Sequence, residues 1–197
     1  MRGWRVVCLA ISALAMVSAA VPGIAHAADQ QGAIATSHGA KFESKIAKVV
    51  TERGFEQRSY ADWHDDGEPP GEWLLTNVPY VTLYGSKGRT EFLLLSAARG
   101  LRIRIEAKWQ SSQGSVDEKL PHLYLNALKA MPEDTVFIVI DGPGWRPGGL
   151  EWLKKAAADK AFADRLEKVV RIMNLADFRA WTDDTLRSSR SESGDGK

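Results

Sequence analysis

From Leu101 to Trp109 the chain alternates strictly. Leu101, Ile103, Ile105 and Ala107 are apolar, whereas Arg102, Arg104, Glu106 and Lys108 are charged. A period of two places the first set on one face of a β-strand and the second on the other. Arg89 to Ser96 is a second strand-like run, and the SAARG segment between the two is a short loop, so they form a hairpin. Burial sets its register. Thr90, Phe92 and Leu94 match the apolar face, and a slip of one residue would turn Phe92 and Leu94 toward charges. The compatible pairing puts Phe92 opposite Ile105, Leu94 opposite Ile103 and Glu91 opposite Glu106. A two-residue slip or a bulge would make the two glutamates diagonal neighbours on the same face.

Other patterns build outward from this hairpin. Gly39 to Arg53 reads as a helix with an apolar stripe of Phe42, Ile46, Val49 and Val50, and Gly54 stands at its C-cap. Ser59 to Leu75 reads as a loop. Its His64, Asp65 and Asp66 point in diverging directions and fit a polar turn better than a metal site. Val78 to Tyr84 is a strand, closed by Gly85-Ser86-Lys87-Gly88, which lacks the GK[ST] ending of a phosphate-binding loop. Ser115-Val116-Asp117-Glu118 has capping-box form and predicts a helix to about Ala130, kinked by Pro121. Thr135 to Ile140 is an apolar, β-branched run of strand length, which predicts a strand buried on both faces and ended by Asp141-Gly142-Pro143-Gly144. Leu150 to Lys168 reads as a helix, Val169 to Met173 as a strand and Leu175 to Trp181 as a last helix. This order predicts one α/β domain, residues 39–183, with a central mixed β-sheet flanked by helices. Residues 28–38 and the tail 184–197 are expected to be disordered.

The N-terminus has the form of a secretory signal. A basic MRGWR precedes a small-residue apolar run, and Ala25-His26-Ala27 matches a signal-peptidase site. Pro22 and Gly23 interrupt the apolar run, so no stable membrane insertion is expected after cleavage. The expected location is therefore exported, periplasmic or secreted. A start codon assigned too early would instead leave the protein cytoplasmic, beginning near Thr36. Cys8 is the only cysteine and lies in the leader, so the mature chain has neither a disulfide nor a thiolate metal site. Loss of Arg2 and Arg5 lowers the formal charge of +1 by two. Bulk charge therefore selects no polyanionic partner, and any such binding must come from a local patch.

Opposed carboxylates on neighbouring strands lie about 5 Å apart at Cβ and repel. Something positive belongs between Glu91 and Glu106. Lys108, two residues from Glu106 on the same face, is one candidate. A hard cation is the other, since magnesium is held by one or two carboxylates while keeping several waters. A surface Glu-Lys-Glu cluster without a metal is the plain alternative.

At these residues the sequence resembles the PD-(D/E)XK, or restriction-endonuclease-like, nuclease superfamily. Glu106-Ala107-Lys108 matches its E-x-K, Glu91 its first acid, and Glu43, in GAKFES, its helix glutamate. The runs VPYVTLYGSKGRTEFLLL and IRIEAKWQSSQGSVDEKLPHLYLNAL, with IVIDGPGW, resemble a bacterial branch of that superfamily. The first acid is Glu rather than the commoner Asp. The resemblance covers roughly Gly39 to Trp181 and implies a restriction-endonuclease-like fold. It also implies that Gln110 lines the site.

The activity that the resemblance implies is that of a magnesium-dependent phosphodiesterase on nucleic acid, a DNA endonuclease in its most specific form, with manganese as a substitute ion. Glu91, Glu106 and the Ala107 carbonyl would bind the metal. Lys108 would position or activate the water, Glu43 would act through the metal's water shell, and Gln110 would orient Lys108 or the phosphate. Lys87, Arg89, Arg102 and Arg104 are candidates for phosphate-backbone contacts, each with a solvated surface cation as its alternative. Lys119 and His122 are site-edge candidates. Concerted double-strand cleavage would call for a homodimer. The competing reading is an exported nuclease-fold binding module without catalysis, with Trp63, Trp73, Trp109 and Trp145 as a binding surface. A structural helper of a secretion or conjugation system is a third.

Overall fold

The structure, a computed structural model, describes residues 22–113 and 115–186, with side chains over 37–113 and 117–186. Most of the signal-peptide reading and most of the tail therefore lie outside the described residues. Among those described, no helix is long and apolar enough to cross a membrane.

Six strands stand side by side in chain order: β1 (Glu56–Ser59), β2 (Glu72–Val81), β3 (Lys87–Ser96), β4 (Leu101–Trp109), β5 (Thr135–Asp141) and β6 (Val169–Met173). β2, β3 and β4 form an antiparallel meander, while β1 runs parallel to β2, and β5 and β6 run parallel to β4. Parallel neighbours need crossovers, which the helices supply. α1 (Pro22–Thr51) and α5 (Leu175–Thr185) cover one face, and α3 (Leu120–Leu125) and α4 (Pro147–Ala158) cover the other. α2 (Tyr60–Asp65) lays Trp63 over Leu75, Val78 and Leu93.

This two-sided cover explains the apolar run of β5. Phe137 and Val139 join the α1 core with Phe42, Ile46, Phe92 and Ile105. Val136, Ile138 and Ile140 join the other core with Tyr124, Leu128 and Leu153. The hairpin register is as burial required, with Phe92 opposite Ile105 and Leu94 opposite Ile103.

Several boundaries differ from those expected of the sequence. α1 begins at Pro22 and runs through the segment expected to be disordered, whose alanines and glutamines favour helix. The expected loop at Ser59 to Leu75 holds α2, capped by Ser59 accepting from Asp62 N, and the start of β2. β2 itself ends at Val81, not Tyr84. Its full length is masked in the sequence because Asn77 breaks the pattern: it takes φ +56°, a conformation Asn tolerates, and drops out of the β2–β3 ladder. The helix expected from Ser115 is three pieces: a 3₁₀ turn (Ser115–Lys119), α3 with Pro121 in its first turn, and a π turn (Asn126–Ala130). α4 stops at Ala158 rather than continuing to Lys168. Lys160 and Phe162 take positive φ there, and the chain returns so that Val169 N donates to Asp134 O at 2.8 Å and starts β6. α5 runs four residues past Trp181.

The return loop buries Lys168, 1% exposed, whose Nζ donates to the carbonyls of Met131 and Glu133. Burial pulls its ammonium down to about 8, Glu133 opposing. An unfolded lysine titrates near 10.4, so between these values the unfolded chain holds the extra proton and stability rises with pH. Relative to Lys168→Met, the native protein is expected to gain on the order of 2 kcal/mol from pH 8 to 10 in chemical denaturation. A constant difference between the two proteins would refute this.

Candidate active site

β3 and β4 pair from Ser96–Leu101 to Phe92–Ile105 and then part. β3 continues alone on β2 to Lys87, and β4 continues alone on β5 to Trp109. Glu91 stands at the fork, outside both ladders of its strand. Its carboxylate fills the gap: Oε2 accepts the Ala107 N–H at 2.8 Å, and Oε1 accepts Lys108 Nζ at 3.1 Å. Lys108 Nζ also lies 2.6 Å from Glu106 Oε1 and donates to Ala107 O at 3.2 Å. The fork thus gathers two carboxylates, one amine and one carbonyl, with the lysine between the acids. Glu106 Oε2 is buried and has no hydrogen-bond partner among the described residues.

A model for the PD-(D/E)XK nuclease superfamily domain matches residues 34–186. The chain belongs to the PD-(D/E)XK nuclease superfamily. Comparison with curated proteins and with solved structures gives no significant match. The six-stranded mixed sheet flanked by helices is the restriction-endonuclease-like fold that the resemblance implied, and membership supports a nuclease-type function on nucleic acid.

The acids of this PD-(D/E)XK chain differ in environment. Glu106 is 5% exposed, and burial, with repulsion from Glu91, pushes its carboxyl up to about 7 against the opposing pull of Lys108. Burial disfavours the Lys108 ammonium, but Glu106 and Glu91 outweigh it and hold the amine above its ordinary range. Lys108 therefore stays charged. Glu43, on α1, is raised by burial and then by Glu91, with Lys108 opposing.

Two clefts meet at this cluster. One, about 800 Å³, takes Glu91 with Glu43, Lys48, Asn77 and Arg89. The other, about 400 Å³, takes Glu106 and Lys108 with Tyr80, Gln110, Lys119 and His122. Gln110 lines this second cleft, and its side-chain amide donates to Ser112 O at 2.6 Å rather than to Lys108. The turn after β5 braces it. Gln110 N donates to Asp141 O, and Gly144 N donates to Gln110 O. At Gly142, φ is +110°, and a Cβ would meet Gln110 O at 2.2 Å. Gly142→Ala is therefore expected to displace the Gln110 segment and lower the melting temperature by several degrees, for a cost of about 1–3 kcal/mol. An unchanged melting curve would contradict this.

The predicted phosphate contacts separate. Arg89 and Lys119 are exposed and line the two clefts, and Lys87 is exposed at the start of β3. Arg102 is exposed but six residues before Lys108, roughly 20 Å along the strand, and it lies 3.5 Å from Glu133. Arg104 is a correction. It is 2% exposed and bonded to both oxygens of Glu133, to the Val78 and Pro79 carbonyls and to Thr90 Oγ1, so it reaches no phosphate. Its partner arrives from the loop before β5. Trp63 and Trp145 are likewise buried and form no binding surface. His64 pairs with Glu68 at 2.8 Å, and Asp66 with Arg58, as a polar turn.

Sequence reasoning missed Tyr80, whose phenol is raised by burial and by Glu106. Gly88 was its signal: opposite Tyr80 in the ladder, it leaves room for a ring that would lie 2.8 Å from any Cβ.

Among the described residues no group of three or more His, Cys, Asp or Glu side chains is arranged to hold a metal. The fork fits a hard cation in another way, with two carboxylates, a carbonyl and one carboxylate oxygen that has no partner among the described residues.

Proposed function

We propose that the chain is a magnesium- or manganese-dependent endonuclease on DNA. The convergence of Glu91, Glu106 and Lys108 at the β3–β4 fork, with Glu106 Oε2 buried and unpartnered, carries this reading. Glu91, Glu106 and the Ala107 carbonyl would hold the ion, which would supply Lewis-acid stabilisation of phosphoryl charge and an acidified water. Lys108 keeps its proton between two carboxylates. It is placed to donate hydrogen bonds to a water or a phosphate oxygen and to offset the negative charge that develops there. Glu43 faces the Glu91 cleft and would orient water entering it. Gln110 shapes the wall of the other cleft, and Arg89 and Lys119 would attract the backbone on either side.

Nicking of supercoiled plasmid tests the proposal. Cleavage is expected with magnesium or manganese and none with a chelator. Cleavage that ignores the chelator removes the metal. DNA binding with no cleavage under any divalent ion would support the non-catalytic module instead. The proposal extends to export, on the N-terminal pattern. Sequencing of the mature N-terminus should begin at Ala28, and a retained Met1 would refute it.

A further inference from the structure

Beyond the acid–lysine cluster, the smaller cleft has an aromatic rim. The β2–β3 turn carries Tyr84, 80% exposed, whose ring stacks on that of His122 with centroids 5.1 Å apart and planes 14° apart. Leu83 and Val81 beside it are also exposed. An apolar tip on solvent serves no packing purpose in the fold, yet this one is held firmly. Thr82 N donates to Ser86 O and Gly85 N to Thr82 O, both at 2.9 Å, and the Thr82 and Ser86 hydroxyls bond at 2.7 Å. Buried Asn126, at the start of the π turn, accepts from Leu83 N at 3.1 Å and donates to His122 O at 3.0 Å. One asparagine thus ties the turn bearing Tyr84 to the helix bearing His122. π turns of this kind recur at functional sites.

His122 shares its cleft with Glu106, Lys108 and Lys119. A planar, rigid, exposed ring next to a phosphate-handling cluster matches the way proteins hold unpaired bases, by stacking on an aromatic face while cations follow the backbone. We infer that Tyr84, backed by His122, is a stacking platform for an unpaired base next to the phosphodiester at the fork, so that the substrate is a single strand or a locally opened duplex. This rests on the proposed nuclease reading for the chemistry, but not for the binding. A paired base presents only its edges and cannot cover the ring.

Fluorescence anisotropy with calcium as the cation tests it, using a labelled oligothymidine and the same strand annealed to its complement. Tyr84→Ala is expected to weaken oligothymidine binding about 5- to 100-fold and Tyr84→Phe by less than about twofold. Duplex binding should be unchanged in both. The salt slope should be unchanged in Tyr84→Ala and reduced by about one in Lys119→Ala. The platform is overturned if the native chain binds no single strand, if Tyr84→Ala binds it as tightly as the native chain, or if single strand and duplex lose affinity equally. Cleavage is scored separately with magnesium. A Tyr84-dependent affinity without cleavage keeps the platform and removes the nuclease proposal.

Discussion

Glu106→Gln is expected to reduce magnesium-dependent cleavage roughly a thousandfold while the protein stays folded. The substitution keeps the shape of the side chain but removes the charge that Lys108 and a divalent ion both need. Without the ion, burial, and with it repulsion from Glu91, disfavours the Glu106 charge more than Lys108 favours it and holds the carboxyl near 7, so the substitution removes a charge that the fold holds at a net cost. The metal-free variant should therefore melt at or above the native temperature, as expected of a site built for function at some cost in stability. Lys108→Met should lose comparable activity with the opposite effect on stability. It leaves two carboxylates facing each other at the fork without their amine, and a divalent ion should then stabilise the variant more than the native chain. Cleavage kinetics, with melting temperatures measured with and without magnesium, separate these effects. Undiminished cleavage by Glu106→Gln would remove the assignment.

Glu133→Ala should be the most damaging single change for the fold. Glu133 is buried, and its hydrogen bonds and charge pairing with Arg104 outweigh burial and hold its carboxyl below the ordinary range. Removing it leaves the Arg104 guanidinium buried without a counter-charge, which costs about 3–5 kcal/mol, or on the order of 10 °C in melting temperature. Arg104 also clasps the carbonyls of Val78 and Pro79 and the hydroxyl of Thr90, so it ties β2, β3 and β4 together beside the fork. Activity should fall with stability. Glu167→Ala, which removes an exposed partner of Arg165, is the control and should change nothing measurable. A Glu133→Ala protein as stable as that control would show that the buried pair contributes little. Arg104→Met/Glu133→Leu should recover much of the loss, because it removes both charges together.

The acid–lysine cluster was legible in the sequence for a specific reason. Strict alternation over Leu101 to Trp109 states which residues share a face, and the burial of Phe92 and Leu94 then excludes a slip of one residue in the hairpin. Alternation puts Glu91, Glu106 and Lys108 on one face without long-range information, but the expected pairing of Glu91 opposite Glu106 is not made, since the ladder ends at Phe92–Ile105. β6 and the stripe of α1 were legible in the same way, since each pattern is complete within a few residues.

Other features depended on partners distant in the chain. Arg102 and Arg104 have the same pattern on the same face and both meet Glu133 from the loop before β5, yet one is solvated and the other buried, because only Arg104 is also enclosed by Val78, Pro79 and Thr90 of β2 and β3. Glu106 is buried enough for its carboxyl to be pushed up to about 7 only because distant residues, Tyr80 of β2 and Leu120 and Leu123 of α3, line the cleft around it. The stop of α4 at Ala158 and the extent of β2 across Asn77 were set by where the chain had to arrive, against local preference. Alternation along a strand is a property of neighbouring residues and can be read from them. Exposure, charge state and the meeting of two clefts depend on what packs across the sheet, and only the folded chain supplies that.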